Sequence, residues 1–255
     1  MNRIYPDLQG KVAVVTGGSR GIGAATAYAL AMSGAKVLVN GRDSAAIDAT
    51  VKGIAAAGGT ADGFAADSTD FAAVEAMRGH TESTLGPVEI LAVFAGGGIA
   101  PPGPIERLTE EEWHSSVDGN LTATFLVLKS FLPGMKERRS GSIITMASTA
   151  GRQASQAPAP YAAAKAGIVM LTRHVAAETG PYGVRVNCVS PSAVRTERTA
   201  RHMSPEAQEQ VAALHPLRRL GTPEDVADAT LFLASDASSW LTGLTIDVAG
   251  GRVMS

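Results

Sequence analysis

Short runs of apolar, β-branched residues alternate along this chain with longer alanine-rich stretches, in which apolar residues recur every three or four positions. The runs predict strands at 11–16, 36–40, 63–66, 89–95, 142–147, 184–189 and 244–248. The stretches predict helices, for example at 22–32, 45–57, 71–85, 121–135 and 161–178. Strands that alternate with helices build a parallel sheet covered on both faces. The pattern therefore predicts an α/β fold.

At roughly 150 residues per domain, the length of 255 residues does not separate one large domain from two small ones. No Pro/Ser-rich linker interrupts the alternation, so we expect a single domain over 1–255. The segment from about 191 to 222 has weak strand and helix signals and several prolines. A segment this long is predicted to be a substrate lid or an excursion with short helices of its own. The alternative is a plain surface insertion.

Charge and cysteine content bound the partners and the compartment. The chain carries 22 basic and 24 acidic residues, so a dedicated nucleic-acid binder with a basic excess is not expected. The one cysteine cannot form an internal disulfide, which fits a reducing compartment. No apolar run reaches the roughly 18 residues of a membrane span, and the amino terminus lacks the apolar core of a signal peptide. We expect a cytoplasmic protein without membrane or nucleic-acid partners.

A glycine-rich turn, Thr-Gly-Gly-Ser-Arg-Gly-Ile-Gly at 16–23, follows the first predicted strand and precedes an alanine-rich helix. Glycines let the backbone turn sharply and approach a phosphate, and the helix start presents free N–H groups to an anion. This placement indicates a dinucleotide site at the first βα turn. A tight connector with nothing bound is the alternative.

Tyr161 and Lys165 lie one helical turn apart, so they share a helix face. A phenol titrates near pH 10, and a neighbouring ammonium stabilises the phenolate and lowers that pKa. The pair therefore indicates a site of proton transfer. The alternative is an exposed tyrosine beside a solvated lysine, with no catalytic role. Ser148 follows a predicted strand, and Asn120 lies in or beside a helical stretch. Either could be a simple cap, and only their coincidence with the other motifs favours function.

Together these residues identify the chain as resembling the short-chain dehydrogenase/reductases, especially the 3-oxoacyl-carrier-protein-reductase-like members. The resemblance covers almost the whole chain. It rests on the glycine-rich turn, Asp67, Asn120, Ser148, Tyr161 and Lys165, on Arg-Val-Asn-Cys-Val-Ser-Pro at 185–191, and on His-Pro-Leu-Arg-Arg-Leu-Gly-Thr-Pro-Glu-Asp-Val at 215–226. It implies a doubly wound, Rossmann-like sheet of about seven parallel strands, hydride transfer between a nicotinamide and a carbonyl/alcohol pair, and a homotetramer.

The resemblance also implies roles for the site residues. Tyr161 would exchange a proton with the substrate oxygen, and Ser148 would hydrogen-bond that oxygen. Lys165 would hold the ribose hydroxyls and lower the tyrosine pKa, and Asn120 would position a water that links Lys165 to solvent. The implied cofactor contacts are Gly17, Ser19, Arg20, Gly21, Ile22, Gly23, Asn40, Arg42, Asp67, Ala95, Gly96, Tyr161, Lys165, Pro191, Val194 and Thr196.

The preferred cofactor is predicted to be NADP(H). An NAD site usually ends its second strand with an acid, but we match that position to neutral Asn40. Arg42 and Arg20 could both reach a 2′-phosphate. Two such contacts at roughly 1.5 kcal/mol each would give on the order of a hundredfold preference. Asp43 argues the other way, although we expect it to cap the next helix, which begins near Ser44.

The chain departs from the family pattern at two places: Val93-Phe94 replaces the usual two asparagines, and Ser192 replaces the glycine that usually follows the proline. Neither change removes a proton-transfer residue. Cys188 is predicted to be a packing residue. The five histidines have no metal-ligand spacing, so no catalytic metal is expected.

The arginines at 195, 198 and 201 form either a solvated stripe or an anchor for an anionic acyl carrier or a coenzyme A phosphate. The leading hypothesis is an NADP(H)-dependent oxidoreductase for a ketone or secondary alcohol, with a 3-oxoacyl thioester as a candidate substrate. The alternatives are an NAD-preferring alcohol dehydrogenase of the same family, a non-catalytic nucleotide-sensing protein, and a scaffold protein that binds no nucleotide.

Overall fold

A computed structural model describes residues 5–97 and 102–254, apart from the side chains of residues 198, 201 and 202. Seven strands lie within these residues: β1 (Val12–Thr16), β2 (Lys36–Gly41), β3 (Thr60–Ala65), β4 (Val88–Val93), β5 (Gly141–Met146), β6 (Val184–Pro191) and β7 (Thr245–Val248). They form one sheet in the order β3-β2-β1-β4-β5-β6-β7, and every neighbouring pair is parallel. This confirms the predicted doubly wound sheet of seven strands.

Helices cover both faces of the sheet. The α-helices within the described residues are α1 (Gly21–Met32), α2 (Ser44–Ala56), α3 (Phe71–Thr84), α4 (Glu110–Val117), α5 (Ala123–Arg138), α6 (Ala159–Thr179), α7 (Glu197–His202), α8 (Pro205–Ala213) and α9 (Pro223–Ala234). Alternate residues of β1 enter different cores: Ala13 and Val15 pack with residues of α1 and α9, and Val12 and Val14 with residues of α3 and α5. All five residues of β1 are buried because helices cover it from both sides.

The order of the strands reverses at β1, which pairs with β2 on one side and β4 on the other. At such a switch point the loops that follow the two strands diverge and leave a crevice beyond their carboxyl ends. Thr16, the last residue of β1, joins the two sides here. Its Oγ1 accepts hydrogen bonds from the Phe94 and Ala95 amides at 3.0 and 3.1 Å.

Strand and helix positions agree with the sequence predictions to within a few residues. β4 ends at Val93 rather than 95, because the next two amides bond to the side-chain hydroxyl of Thr16 rather than to the backbone of a neighbouring strand. The helices α4 and α9 were not among the predicted ones. The segment 191–222 contains two short helices, α7 and α8. Its two ends meet where Gly221 N donates to Ala193 O and Arg195 N donates to Gly221 O.

Among the described residues, no helix is both long and apolar enough to span a bilayer.

Candidate active site

The glycine-rich turn links β1 to α1 through positions that exclude larger residues. Gly17 and Gly21 have φ values of +65° and +53°. A Cβ at Gly23 would lie 2.0 Å from Gly17 O, and one at Gly17 would lie 3.0 Å from Phe94 O. No side chain caps the amino terminus of α1. The turn therefore leaves a cradle of backbone and free N–H groups, which fits the pyrophosphate of a dinucleotide.

A crevice of about 1300 Å³ opens at the switch point. Most of the predicted site residues line it: Gly17, Ser19, Arg20, Gly21, Ile22, Gly23, Asn40, Arg42, Asp67, Ala95, Gly96, Asn120, Tyr161, Lys165 and Thr196. Ser148, Pro191 and Val194 are not among its lining residues. One cavity thus joins the glycine-rich turn, the end of β2 and the Tyr161 face of α6.

Asn120 ties the loop after β4 to the helical layer. It lies in a π-helical turn, Asp118–Thr122, between α4 and α5. Its Nδ2 donates to Gly97 O at 2.7 Å and to Ser116 O at 2.8 Å, and the residue is buried. A Cβ at Gly96 would lie 3.0 Å from Asn120 Oδ1. The amide therefore holds the 95–97 loop close to the crevice.

Lys165 and Tyr161 occupy successive turns of α6, and both line the crevice. The Lys165 Nζ lies 5.6 Å from the centroid of the Tyr161 ring and donates to Met146 O at 2.9 Å. Lys165 is only 4% exposed, and this burial lowers the pKa of its ammonium from 10.5 to about 8. A buried ammonium thus lies beside the phenol, where its positive charge favours a phenolate.

Ser148 follows β5 and begins a 3-10 turn, Thr149–Gly151. Its Oγ accepts a hydrogen bond from the Ala150 amide at 3.2 Å. A Cβ at Gly151 would lie 2.5 Å from the Lys165 carbonyl carbon and from Ala166 N. Only glycine allows this approach, so the Ser148 turn packs directly on the turn of α6 that carries Lys165.

Two arginine–carboxylate pairs lie at the end of the crevice formed by β2. Arg20 Nη2 is 2.6 Å from Asp43 Oδ2, and Arg42 Nη1 is 3.9 Å from Asp67 Oδ2. Asp43 also caps α2, accepting from the Ala46 amide, which agrees with the predicted cap. The hydrogen bond from Arg20 lowers the pKa of Asp43, and the bond from the Thr69 amide lowers the pKa of Asp67.

The end of β2 differs in detail from the sequence interpretation. Asn40 turns its amide into the sheet, where Nδ2 donates to Phe64 O at 3.1 Å and Ala66 O at 3.2 Å. The next residue, Gly41, faces the glycine-rich turn, because a Cβ there would lie 2.7 Å from Ser19 Oγ. Gly41 is therefore the position from which a side chain would reach the crevice. Successive side chains of a strand point to opposite faces, and this alternation was the sequence signal that could have shown that Gly41 rather than Asn40 faces the crevice.

The remaining predicted contacts lie beside the crevice. Pro191 is the last residue of β6, and Val194 is buried and bridges to Gly221. Ser192 lines a separate cavity of about 310 Å³ and lies 2.9 Å from His215 Nε2. His215 Nδ1 lies 2.8 Å from Val211 O, so this nitrogen carries the proton and Nε2 accepts from the Ser192 hydroxyl.

Cys188 is fully buried in β6, and burial raises the pKa of its thiol, as expected for a packing residue. Phe94, at one of the departures from the family pattern, is buried too. Its backbone amide keeps the loop in place through Thr16, so the asparagine side chains are not needed for that contact.

Comparison with known proteins gives consistent matches over the whole chain. The family model described as Enoyl-(Acyl carrier protein) reductase matches residues 17–252. The chain is 37% identical to 2-(S)-hydroxypropyl-CoM dehydrogenase 3 of Xanthobacter autotrophicus over 96% of this chain and 97% of that protein. It is 38% identical to 3-oxoacyl-[acyl-carrier-protein] reductase of Vibrio cholerae, over 97% and 99%. A 3-oxoacyl-[acyl-carrier protein] reductase with bound NAD from Brucella melitensis superposes with a TM-score of 0.90 and 35% identity, over 99% of this chain and 95% of that one.

Proposed function

Because the chain belongs to the short-chain dehydrogenase/reductase family, we propose that it transfers a hydride between NADP(H) and a ketone or secondary alcohol, with 3-oxoacyl thioesters as the first candidate substrates. The observation that carries this proposal is the buried Lys165, one turn from Tyr161 in the crevice that the glycine-rich turn also lines. Burial beside the Tyr161 phenol lowers the pKa of Lys165 and so opposes its charged form. A nucleotide sensor or a scaffold does not need such a buried ammonium, whereas a proton-transfer site does.

Residues that line the crevice, together with Ser148 beside it, divide the work of carbonyl reduction. A nicotinamide bound in the crevice would supply the hydride that the carbonyl carbon accepts. Tyr161 gives its phenolic proton to the carbonyl oxygen, so a hydride and a proton together form the alcohol. Ser148 donates a hydrogen bond to the same oxygen as negative charge builds on it. Lys165 would hold the ribose hydroxyls of the bound nucleotide and stabilise the Tyr161 phenolate until a proton returns through water near Asn120.

Two features support NADP(H). The position that faces the crevice at the end of β2 is Gly41, so no acid there repels a 2′-phosphate. Arg20 and Arg42 both line the same end of the crevice. Each already has a carboxylate partner, so an incoming phosphate competes with Asp43 and Asp67. We therefore expect a preference of about tenfold, smaller than unpartnered arginines would give.

The same two ion pairs favour the second candidate, an NAD-preferring dehydrogenase of the family. They leave this end of the crevice without net charge, and a neutral site gains little from a phosphate. The test compares kcat/KM for NADPH and NADH in the wild type and in an Arg20→Ala/Arg42→Ala double variant. A wild-type preference for NADH, or an unchanged NADPH preference in the double variant, contradicts the NADP(H) proposal.

The substrate class is tested by nucleotide oxidation with a panel of carbonyl compounds. The panel holds 3-oxoacyl thioesters, aliphatic and aryl ketones, sugars and steroids, with a 2-enoyl thioester as the arm that reports C=C reduction. The proposal expects the highest kcat/KM for a 3-oxoacyl thioester. Nucleotide binding without turnover of any compound supports the sensor, and failure to bind either nucleotide supports the scaffold.

The proposal includes a homotetramer and a mobile role for the 191–222 segment as a substrate lid. Trp113, Phe125 and Met170 are 39%, 47% and 59% exposed on α4, α5 and α6, and a second copy would cover them. Light scattering after size exclusion distinguishes a tetramer from a monomer. Hydrogen exchange in 191–222, measured with and without nucleotide and substrate, tests the lid.

A further inference from the structure

Arg152 and Asp247 form an ion pair that joins the turn after Ser148 to the outer strand β7. Arg152 Nε lies 3.2 Å from Asp247 Oδ1, and Nη2 lies 3.2 Å from Oδ2. The two side chains are 15% and 9% exposed, which makes this the most deeply buried ion pair among the described residues. Two parallel bonds fix the direction of the guanidinium as well as its distance.

Arg152 belongs to the same rigid turn as Ser148. The Gly151 amide donates to Ser148 O at 2.9 Å, and the Arg152 amide donates to Thr149 O at 3.0 Å. The residues 148–152 therefore move as one unit, and a constraint on the Arg152 side chain is also a constraint on Ser148.

Two contacts hold this unit in place. Gly151 packs on the backbone of α6 beside Lys165, closer than any Cβ would permit. Arg152 bonds to Asp247, which lies opposite Ser190 in the ladder between β6 and β7. The first contact sets how near the turn comes to α6, and the second fixes its rotation and lateral position.

Stability alone does not account for such a pair. The desolvation cost of burying two charges roughly cancels their attraction, so well-packed apolar residues would serve the fold equally well. A fixed geometry is what the pair adds, and a misplacement of about 1 Å in a reacting group can cost on the order of 100-fold in rate.

We propose that Arg152 and Asp247 are positioning residues, which hold the Ser148 hydroxyl in register with the Tyr161 phenol and so act on the rate of reduction rather than on nucleotide binding. This inference rests on the proposed function, in which Ser148 contacts the substrate oxygen. An effect that passes through Ser148 must disappear when the Ser148 hydroxyl is removed, whereas a general loss of structure would persist.

The test is a double-variant cycle with Arg152→Met, Ser148→Ala and the combined variant, at saturating NADPH and the best substrate of the panel. We expect Arg152→Met to lower kcat about 30-fold, with the Kd for NADPH within about twofold of the wild type. In the Ser148→Ala background the same change should cost less than about threefold. Equal losses in both backgrounds overturn the positioning role and leave the proposed function intact. A Ser148→Ala variant with the wild-type rate overturns both.

Arg152→Lys keeps a positive charge beside Asp247, so this variant should fold. It loses the paired bonds, so it should lower kcat by an intermediate factor. The control is Arg78→Met on α3, which removes an arginine that is paired with Glu75 and Glu82 and does not line the crevice, and it should leave kcat unchanged. A kcat for Arg152→Lys equal to that of the wild type contradicts the need for the two-bond geometry.

Hydrogen exchange of the nucleotide-free protein tests whether the Arg152–Asp247 pair holds the 148–152 turn, and this test needs no turnover. The backbone amides of residues 151 and 152 should exchange at least about tenfold faster in Arg152→Met than in the wild type, whereas the amides of α1 should keep their wild-type rates. Unchanged exchange at both amides overturns the positioning role of the Arg152–Asp247 pair even if the enzyme proves active. Faster exchange supports it even if the panel contains no substrate, so this result is independent of the proposed function.

Discussion

Replacing Lys165 with methionine should stabilise the protein at neutral pH while it abolishes turnover. Lys165 is buried, and its pKa falls from 10.5 to about 8 in the folded protein. Between these two pH values the folded protein binds fewer protons than the unfolded chain, so stability rises with pH across this window. At pH 7 the charged lysine therefore destabilises the fold by about 3 kcal/mol.

Methionine is close to lysine in length and has no charge, so the Lys165→Met variant escapes this cost. It also loses the hydrogen bond to Met146 O, which leaves a carbonyl without its donor and costs about 1–2 kcal/mol. The expected net gain in the free energy of unfolding is about 1–2 kcal/mol at pH 7. The proposed contact with the ribose hydroxyls and the proposed stabilisation of the Tyr161 phenolate would be lost together, so nucleotide affinity and kcat should both fall.

The measurement is urea unfolding of the nucleotide-free wild type and Lys165→Met at pH 7 and pH 9. Because the wild-type lysine is largely neutral in the folded protein at pH 9, the difference between the two proteins should narrow there by about 1 kcal/mol. Groups elsewhere titrate alike in both proteins and cancel. A variant less stable than the wild type at pH 7, or a difference that does not change between the two pH values, refutes the reasoning.

Tyr161→Phe removes the transferable proton but keeps the ring, so kcat should fall at least about 100-fold while the Kd for NADPH, measured by fluorescence titration, stays near the wild-type value; turnover within about threefold of the wild type contradicts the assignment. Gly41→Asp places a carboxylate beside Ser19 at the end of β2 and should shift the kcat/KM ratio at least about tenfold toward NADH, with Asn40→Asp as the buried control that destabilises the protein instead. Gly23→Ala brings a Cβ to 2.0 Å from Gly17 O and should weaken nucleotide binding at least about tenfold, whereas Gly53→Ala, in open space on α2, should leave it unchanged; an unaltered Kd for Gly23→Ala, measured by calorimetry, would show that the cradle does not need its close approach.

The sequence was sufficient for the fold class and for most of the crevice. Alternating strands and helices predict a parallel sheet covered on both faces, and the resemblance of the motifs implied the doubly wound order that places the glycine-rich turn at the switch point. The spacing of Tyr161 and Lys165 put both on one face of α6, because helix periodicity is a local property. These features depend on neighbours in the chain, so the sequence alone predicts them.

Features that join distant parts of the chain required the tertiary structure. Whether Asn40 or Gly41 faces the crevice depends on how β2 is paired, since a shift of one residue exchanges the two faces of a strand. The burial of Lys165 depends on packing between α6 and β5, and burial sets its pKa. The bond between Arg152 and Asp247 joins residues 95 positions apart. No local pattern encodes that approach, because it arises only when the sheet brings β5, β6 and β7 side by side.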